Sequence, residues 1–60
     1  MEEIKKSFSE KWTVSLIKLE SNEGIKYKVT RRIPKFSISE TKVFATKEEA
    51  LKQFNEWLED

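Results

Sequence analysis

Thr46-Lys47-Glu48-Glu49-Ala50-Leu51-Lys52-Gln53-Phe54-Asn55-Glu56-Trp57-Leu58 carries the pattern from which the fold follows. Thr46 with Glu49 three residues later is a capping box: the hydroxyl can accept from the Glu49 amide while the carboxylate reaches back to the Thr46 amide. Ala50, Leu51, Phe54, Trp57 and Leu58 then fall at i, i+1, i+4, i+7 and i+8, one stripe of a 3.6-residue period. Glu48, Glu49, Lys52, Gln53, Asn55, Glu56 and Glu59 cover the outer face. The spacing predicts a helix over about 47–59. A helix of about 13 residues is marginal alone in water, so this one needs a flat apolar surface to lie on.

Residues 25–33 supply that surface. Ile25, Tyr27, Val29 and Ile33 alternate with Lys26, Lys28, Thr30 and Arg32, the period-two signature of a half-buried strand. Arg31 is the charged member of the apolar row, and its stem can cover apolar surface while the guanidinium reaches the edge. Upstream, Trp12 to Leu19 reads as a partner strand, joined through Glu20-Ser21-Asn22-Glu23-Gly24. Gly24 tolerates a positive φ, which suits a hairpin loop of four or five residues. Trp12, Val14 and Leu16 share one parity, Ile17 and Leu19 the other. Either both faces of this strand are covered, or a bulge near Leu16–Ile17 resets the parity and aims all five inward. The lysine-rich outer row of the neighbouring strand favours the bulge.

Pro34 has no amide to donate and pushes Ile33 toward an extended conformation, so the second strand should bend or end there. A third extended segment follows over about 36–45, with Phe36 and Ile38 on one parity and Val43 and Phe44 before the helix. Its polar middle, Ser39-Glu40-Thr41-Lys42, has room for a turn or bulge. Residues 1–10 carry only Ile4 and Phe8 as large apolar side chains after Met1, and read as a helical turn, an ordered arm or a frayed terminus. The expected architecture is α+β: one domain over 1–60, with a three-stranded antiparallel sheet and a C-terminal helix packed on one face (βββα), and 1–10 as a flexible arm. Two layers around one core is the minimum stable arrangement for this pattern, and an antiparallel sheet can leave its second face in water.

Composition narrows the function classes. The 60 residues include 12 Lys+Arg and 11 Asp+Glu, net +1, with no Cys and no His. Thiolate zinc sites, disulfides and nucleophilic thiols are thereby excluded, as are histidine bases and ligands, so neither a cofactor nor a metal is expected. The serines lack a histidine to activate them, and a single glycine cannot build a phosphate-cradling loop; no enzyme and no small-molecule substrate is expected. No apolar run is long enough to span a membrane, and the charged amino terminus lacks a signal-peptide core. The absence of cysteine fits a reducing, cytoplasmic setting. Lys and Glu together supply 20 of the 60 residues, a balance shared by high-temperature proteins and by AT-rich genomes.

Charge is uneven along the chain. Residues 1–17 are net zero. Residues 18–47 hold eight bases (Lys18, Lys26, Lys28, Arg31, Arg32, Lys35, Lys42, Lys47) against three acids, net +5, and 48–60 are net −4. The expected fold therefore opposes a basic sheet surface to an acidic helix. Glu56, Glu59 and Asp60 sit against the helix dipole, whereas Glu48 and Glu49 favour it. Lys26, Lys28 and Arg32 share a parity, with alternate positions roughly 6–7 Å apart, close to the phosphate spacing along one nucleic-acid strand. Thr30 among them can contact a phosphate or a base edge. The candidate nucleic-acid interface is thus Lys26, Lys28, Thr30 and Arg32, with Lys18, Lys35 and Lys42 as further cations of the same stretch. Phe54 and Trp57 belong to the helix stripe and read as core. Trp12 and Phe36, if exposed beside the lysines, could stack on an unpaired base.

A strand carrying Trp12-Thr13-Val14, a Gly24-led strand rich in basic residues, and Val43-Phe44-Ala45-Thr46-Lys47-Glu48-Glu49-Ala50 opening a helix resemble the small amino-terminal DNA-binding domains of tyrosine recombinases, which share the ethylene-response-factor type of fold. The likeness spans about 45 residues. It implies a three-stranded sheet set in the DNA major groove and braced by the helix, with groove-facing roles for Lys26, Lys28, Thr30 and Arg32, in an accessory or regulatory DNA binder. The competing reading is a protein-interaction or self-assembly module with a solvated lysine face, since a marginal core makes a homodimer favourable.

Overall fold

The computed structural model describes residues 2–59; Asp60, one of the acids at the helix end, and Met1, the first residue of the expected arm, lie outside them. The chain runs β1 (Glu2–Phe8), β2 (Thr13–Ser21), β3 (Gly24–Ile33), a 3-10 turn (Pro34–Phe36), β4 (Ile38–Phe44) and α1 (Lys47–Glu59). The strands form one antiparallel meander in the order β1-β2-β3-β4, with α1 across one face.

The α+β class and the C-terminal helix agree with the sequence reading; the strand count does not, because the sheet has four strands, not three. The expected flexible arm is β1, an edge strand paired with β2 from Glu2↔Lys18 to Phe8↔Thr13. Its connection to β2 is ordered: the Ser9 amide donates to the Trp12 carbonyl at 2.8 Å, and the Trp12 amide donates to Ser9 Oγ at 3.0 Å.

A bulge exists, but on β1. The register slips between Glu3 and Lys5, which inserts Ile4. Ile4 packs against the core, and Lys5 Nζ lies 5.0 Å from the centre of the Phe54 ring, so both look toward the helix. The β2–β3 ladder is regular from Thr13↔Arg32 to Ser21↔Gly24, which overturns the bulge expected near Leu16–Ile17. Ile17 and Leu19 therefore stand on the face away from the helix. They are only half-exposed there, because Ile17 lies in a row with Lys28 and Val43, and Leu19 opposite Lys26; the lysine stems shield them from water.

The β2–β3 loop is two residues, Asn22-Glu23, tighter than expected. Gly24 follows it at φ +129°, where an L side chain is strained. β3 ends at Ile33 before Pro34, as the missing amide requires, and Ser37 at φ 53° turns the chain into β4. The polar stretch 39–42 contains no turn: it pairs regularly with β3, from Ile33↔Ile38 to Tyr27↔Phe44. Its polar side chains serve neighbours instead. Glu40 pairs with Arg31, the Thr41 hydroxyl meets that of Thr30, and Lys42 donates to Gln53.

Val14, Leu16, Val29, Ala50, Phe54 and Trp57 make the buried core, ringed by Ile4, Trp12, Tyr27, Phe44, Leu51 and Leu58. The helix stripe lies on the inward sheet row as its period demands. At its start the Thr46 hydroxyl accepts from the Glu49 amide at 3.3 Å and donates to the Glu49 carboxylate at 2.9 Å, so the capping box closes through the hydroxyl, not the Thr46 amide.

Candidate nucleic-acid interface

Strand parity sorts the charged residues onto two faces. On β3, Tyr27, Val29 and Arg31 face α1; Lys26, Lys28, Thr30 and Arg32 face away. The outer face is a grid set by the register. One row is Phe8, Thr13, Arg32 and Ser39; the next is Lys6, Ser15, Thr30 and Thr41; then Glu3, Ile17, Lys28 and Val43; and finally Leu19 beside Lys26. The four candidate residues Lys26, Lys28, Thr30 and Arg32 thus share one uncovered surface. To them β1 adds Lys6, which sequence reasoning missed because the arm was not expected to pair.

The other three residues do not join them. Lys18 sits on the helix-side parity of β2 with its ammonium 3.2 Å from the Glu20 carboxylate. That hydrogen bond, then the Glu20 charge, hold Lys18 protonated above the usual lysine range. Lys42 is on the helix side of β4, donating to Gln53 at 3.2 Å, with Nζ 5.7 Å from the Trp57 ring centre. Lys35 lies in the 3-10 turn at one end of the sheet, its Nζ 5.9 Å from the Phe36 ring centre.

Charges pair on the helix side of the sheet and stay open on the other. Among the described residues the ion pairs are Lys18–Glu20 and Arg31–Glu40, both on the helix side. Among the described residues, Lys6, Lys26, Lys28 and Arg32 have no carboxylate within ion-pair distance, and Glu3 is the acid sharing their face. Between them Thr13, Ser15, Thr30 and Thr41 present hydroxyls, with the Thr30 and Thr41 oxygens 3.2 Å apart. Glu3, Lys6, Phe8, Thr13, Ser15, Thr30 and Arg32 line a shallow depression of about 320 Å³.

Phe54 and Trp57 are core, as their place in the helix stripe predicts. Trp12 is half-buried on the helix side beneath the Arg31 guanidinium, away from the lysine face. Phe36 is exposed but belongs to the 3-10 turn. The aromatic on the cationic face is Phe8, at 74% the most exposed large hydrophobic side chain among the described residues.

Among the described residues no cluster of acids could hold a metal ion, and no helix is long and apolar enough to cross a membrane. Compared with known proteins, the chain matches no family model, no curated protein and no solved structure.

Proposed function

We propose that the protein binds nucleic acid through the uncovered sheet face, with Lys6, Lys26, Lys28 and Arg32 on phosphates and the threonine and serine hydroxyls on phosphate or base edges. The observation that carries this reading is that, among the described residues, one face holds four cations without ion pairs against one acid. Lysines commonly blunt sheet edges. Lys28 and Arg32 are paired on both sides, with β2 and with β4, so edge protection does not account for them. On this reading the protein is an accessory or regulatory binder, not an enzyme, and the groove-facing residues implied by the recombinase resemblance are the outward row of β3.

The test is a binding titration against duplex and single-stranded oligonucleotides at about 50 and 200 mM salt, where four phosphate contacts give a log–log slope of about −3 to −4. Lys28→Glu with Arg32→Glu should abolish binding while leaving the melting temperature in place. Absence of salt-sensitive binding to either form overturns the proposal.

A second reading has its own observation. Trp12, Ile33 and Phe36 line an apolar hollow of about 500 Å³ at one end of the sheet, where Phe36 is largely exposed, and Ile38, paired with Ile33, is half-exposed. Self-association through that end would bury them, and light scattering across a concentration series reads it directly.

A further inference from the structure

The fourth strand changes which nucleic acid the face can take. Strand axes lie about 4.8 Å apart, so four strands span about 14 Å between outer axes before side chains are added. The major groove is about 12 Å wide and admits a two-stranded ribbon. A sheet of this width cannot enter it lying flat, and the cations sit on its flat face, not along an edge. The same face suits an extended strand, which can lie across several β-strands with its bases turned toward the protein.

An exposed aromatic completes that arrangement. Phe8 ends β1, opposite Thr13 and in the row that continues to Arg32, about 10 Å away across two strand spacings. Lys6 Nζ is 5.6 Å from its ring centre, which places a cation beside the ring. The ring borders the depression that Thr13, Ser15 and Thr30 line together with Lys6, Arg32 and one acid, Glu3. No core contact explains a phenylalanine here, since the core lies on the opposite face. A ring open to water, with cations on two sides and hydroxyls beneath, has what an unpaired base with its flanking phosphates requires.

We propose that the uncovered sheet face holds one unpaired nucleic-acid strand, with a base stacked on Phe8 and the adjoining phosphates led over Lys6 and Arg32 toward Lys28. This rests on the basic-face reading and adds to it the strand state of the ligand and the residue that selects it. Duplex binding is the competing outcome: paired bases are already stacked and cannot reach the ring.

The experiment measures fluorescence anisotropy of labelled oligo(dT) and oligo(U) of about twelve nucleotides and of a duplex of that length, with the native chain, Phe8→Ala, Phe8→Trp, and Lys28→Glu combined with Arg32→Glu. The expected result is tighter binding of the single strands than of the duplex. Phe8→Ala should weaken the single strands by about tenfold or more and leave the duplex unchanged, while Phe8→Trp keeps or improves single-strand affinity. Because Phe8 is exposed, Phe8→Ala should melt where the native chain does; Phe8→Trp tests stacking without truncating the ring. Salt-sensitive binding that ignores Phe8, or that favours duplex, overturns this inference and leaves the basic-face reading standing if the double charge reversal abolishes it. Absence of salt-sensitive binding to every probe removes both.

Discussion

The Arg31 guanidinium lies 4.1 Å from the centre of the Trp12 ring and 4.8 Å from that of Trp57, while its Nη2 donates to the Glu40 carboxylate at 2.7 Å. A charged residue thus occupies the inward row of the central strand β3, with only 14% of its side chain exposed. Two indoles replace part of its hydration and Glu40 balances its charge, so burial is tolerated where a lone cation would be expelled.

Arg31→Ala removes both ring contacts and takes away the guanidinium that pairs with the Glu40 carboxylate. Each cation–π contact contributes about 0.5–1 kcal/mol, and the stem covers apolar surface as well, so the expected loss is about 2–3 kcal/mol. For a domain of this size that lowers the melting temperature by more than about 10 °C. Arg31→Lys keeps the charge but loses the planar stack and should fall between. Glu40→Gln should cost about 1 kcal/mol or less, since Glu40 is half-exposed. Thermal unfolding by circular dichroism ranks the three, and an Arg31→Lys indistinguishable from the native chain would refute the stacking argument.

The capping box makes a separable prediction. Thr46 Oγ1 both accepts from the Glu49 amide and donates to the Glu49 carboxylate, so the two side chains act as a unit. Thr46→Ala should cost about 0.5–2 kcal/mol. Glu49→Ala should add less in the Thr46→Ala background than in the native chain, because the partner it loses is already gone. Urea unfolding of the four-member cycle measures the coupling, and strict additivity would mean the pair is not closed in solution.

Legibility from sequence followed burial on one side only. The helix was readable because its cap and stripe agree, and β3 because its two rows differ in polarity. β1 was not: the Ile4 bulge puts Ile4 and Lys5 on the same side, which erases period two, and Phe8 points away from the core. The parity of β2 misled for a related reason. Polarity alone places Ile17 and Leu19 inward, yet they stand among lysine stems and Val43 on the outer face. Of the candidate interface, the outward row of β3 was legible by alternation alone. Lys6 and Phe8 become visible only through pairing with β2, and the displacement of Lys18 and Lys42 to the helix side follows from a regular ladder that residue types do not announce.

Gly24 tests the tight hairpin. At φ +129° any L side chain is strained, although a Cβ there would meet nothing within 4 Å. Gly24→Ala should therefore destabilise by about 1–3 kcal/mol through the backbone alone. A chemically synthesised chain with D-alanine at that position should recover the native melting temperature, because the open space accepts the methyl and the mirror-image residue accepts the angle. If both alanines destabilise equally, the loss comes from something other than φ.

Glu3 predicts a gain. It is the acid on the cationic face, two strand spacings from Lys28, which is about 10 Å. At that separation in water a unit charge costs a phosphate held on Lys28 about 0.4 kcal/mol, and one nearer the depression that Glu3 lines costs more. Glu3→Gln should tighten oligonucleotide binding about twofold at low salt and have no effect at high salt, where the Debye length falls well below the separation. A titration at the two ionic strengths distinguishes this from any direct contact, which would survive the added salt.

The two faces can be set against each other with charge changes of equal size. Lys18, Lys42 and Lys28 each carry one positive charge, but Lys18 and Lys42 face α1 and spend their ammonium groups on Glu20 and Gln53. Lys28 lies on the outer face among hydroxyls and apolar side chains. Lys28→Gln should remove one phosphate contact and reduce the salt slope by about one. Lys18→Gln and Lys42→Gln change the net charge identically, so they should lower affinity only through the long-range field and leave the slope nearly unchanged. If all three reduce the slope alike, binding depends on the charge of the whole molecule and the sheet face has no privileged role; a reduction confined to Lys28 assigns the contact to that face.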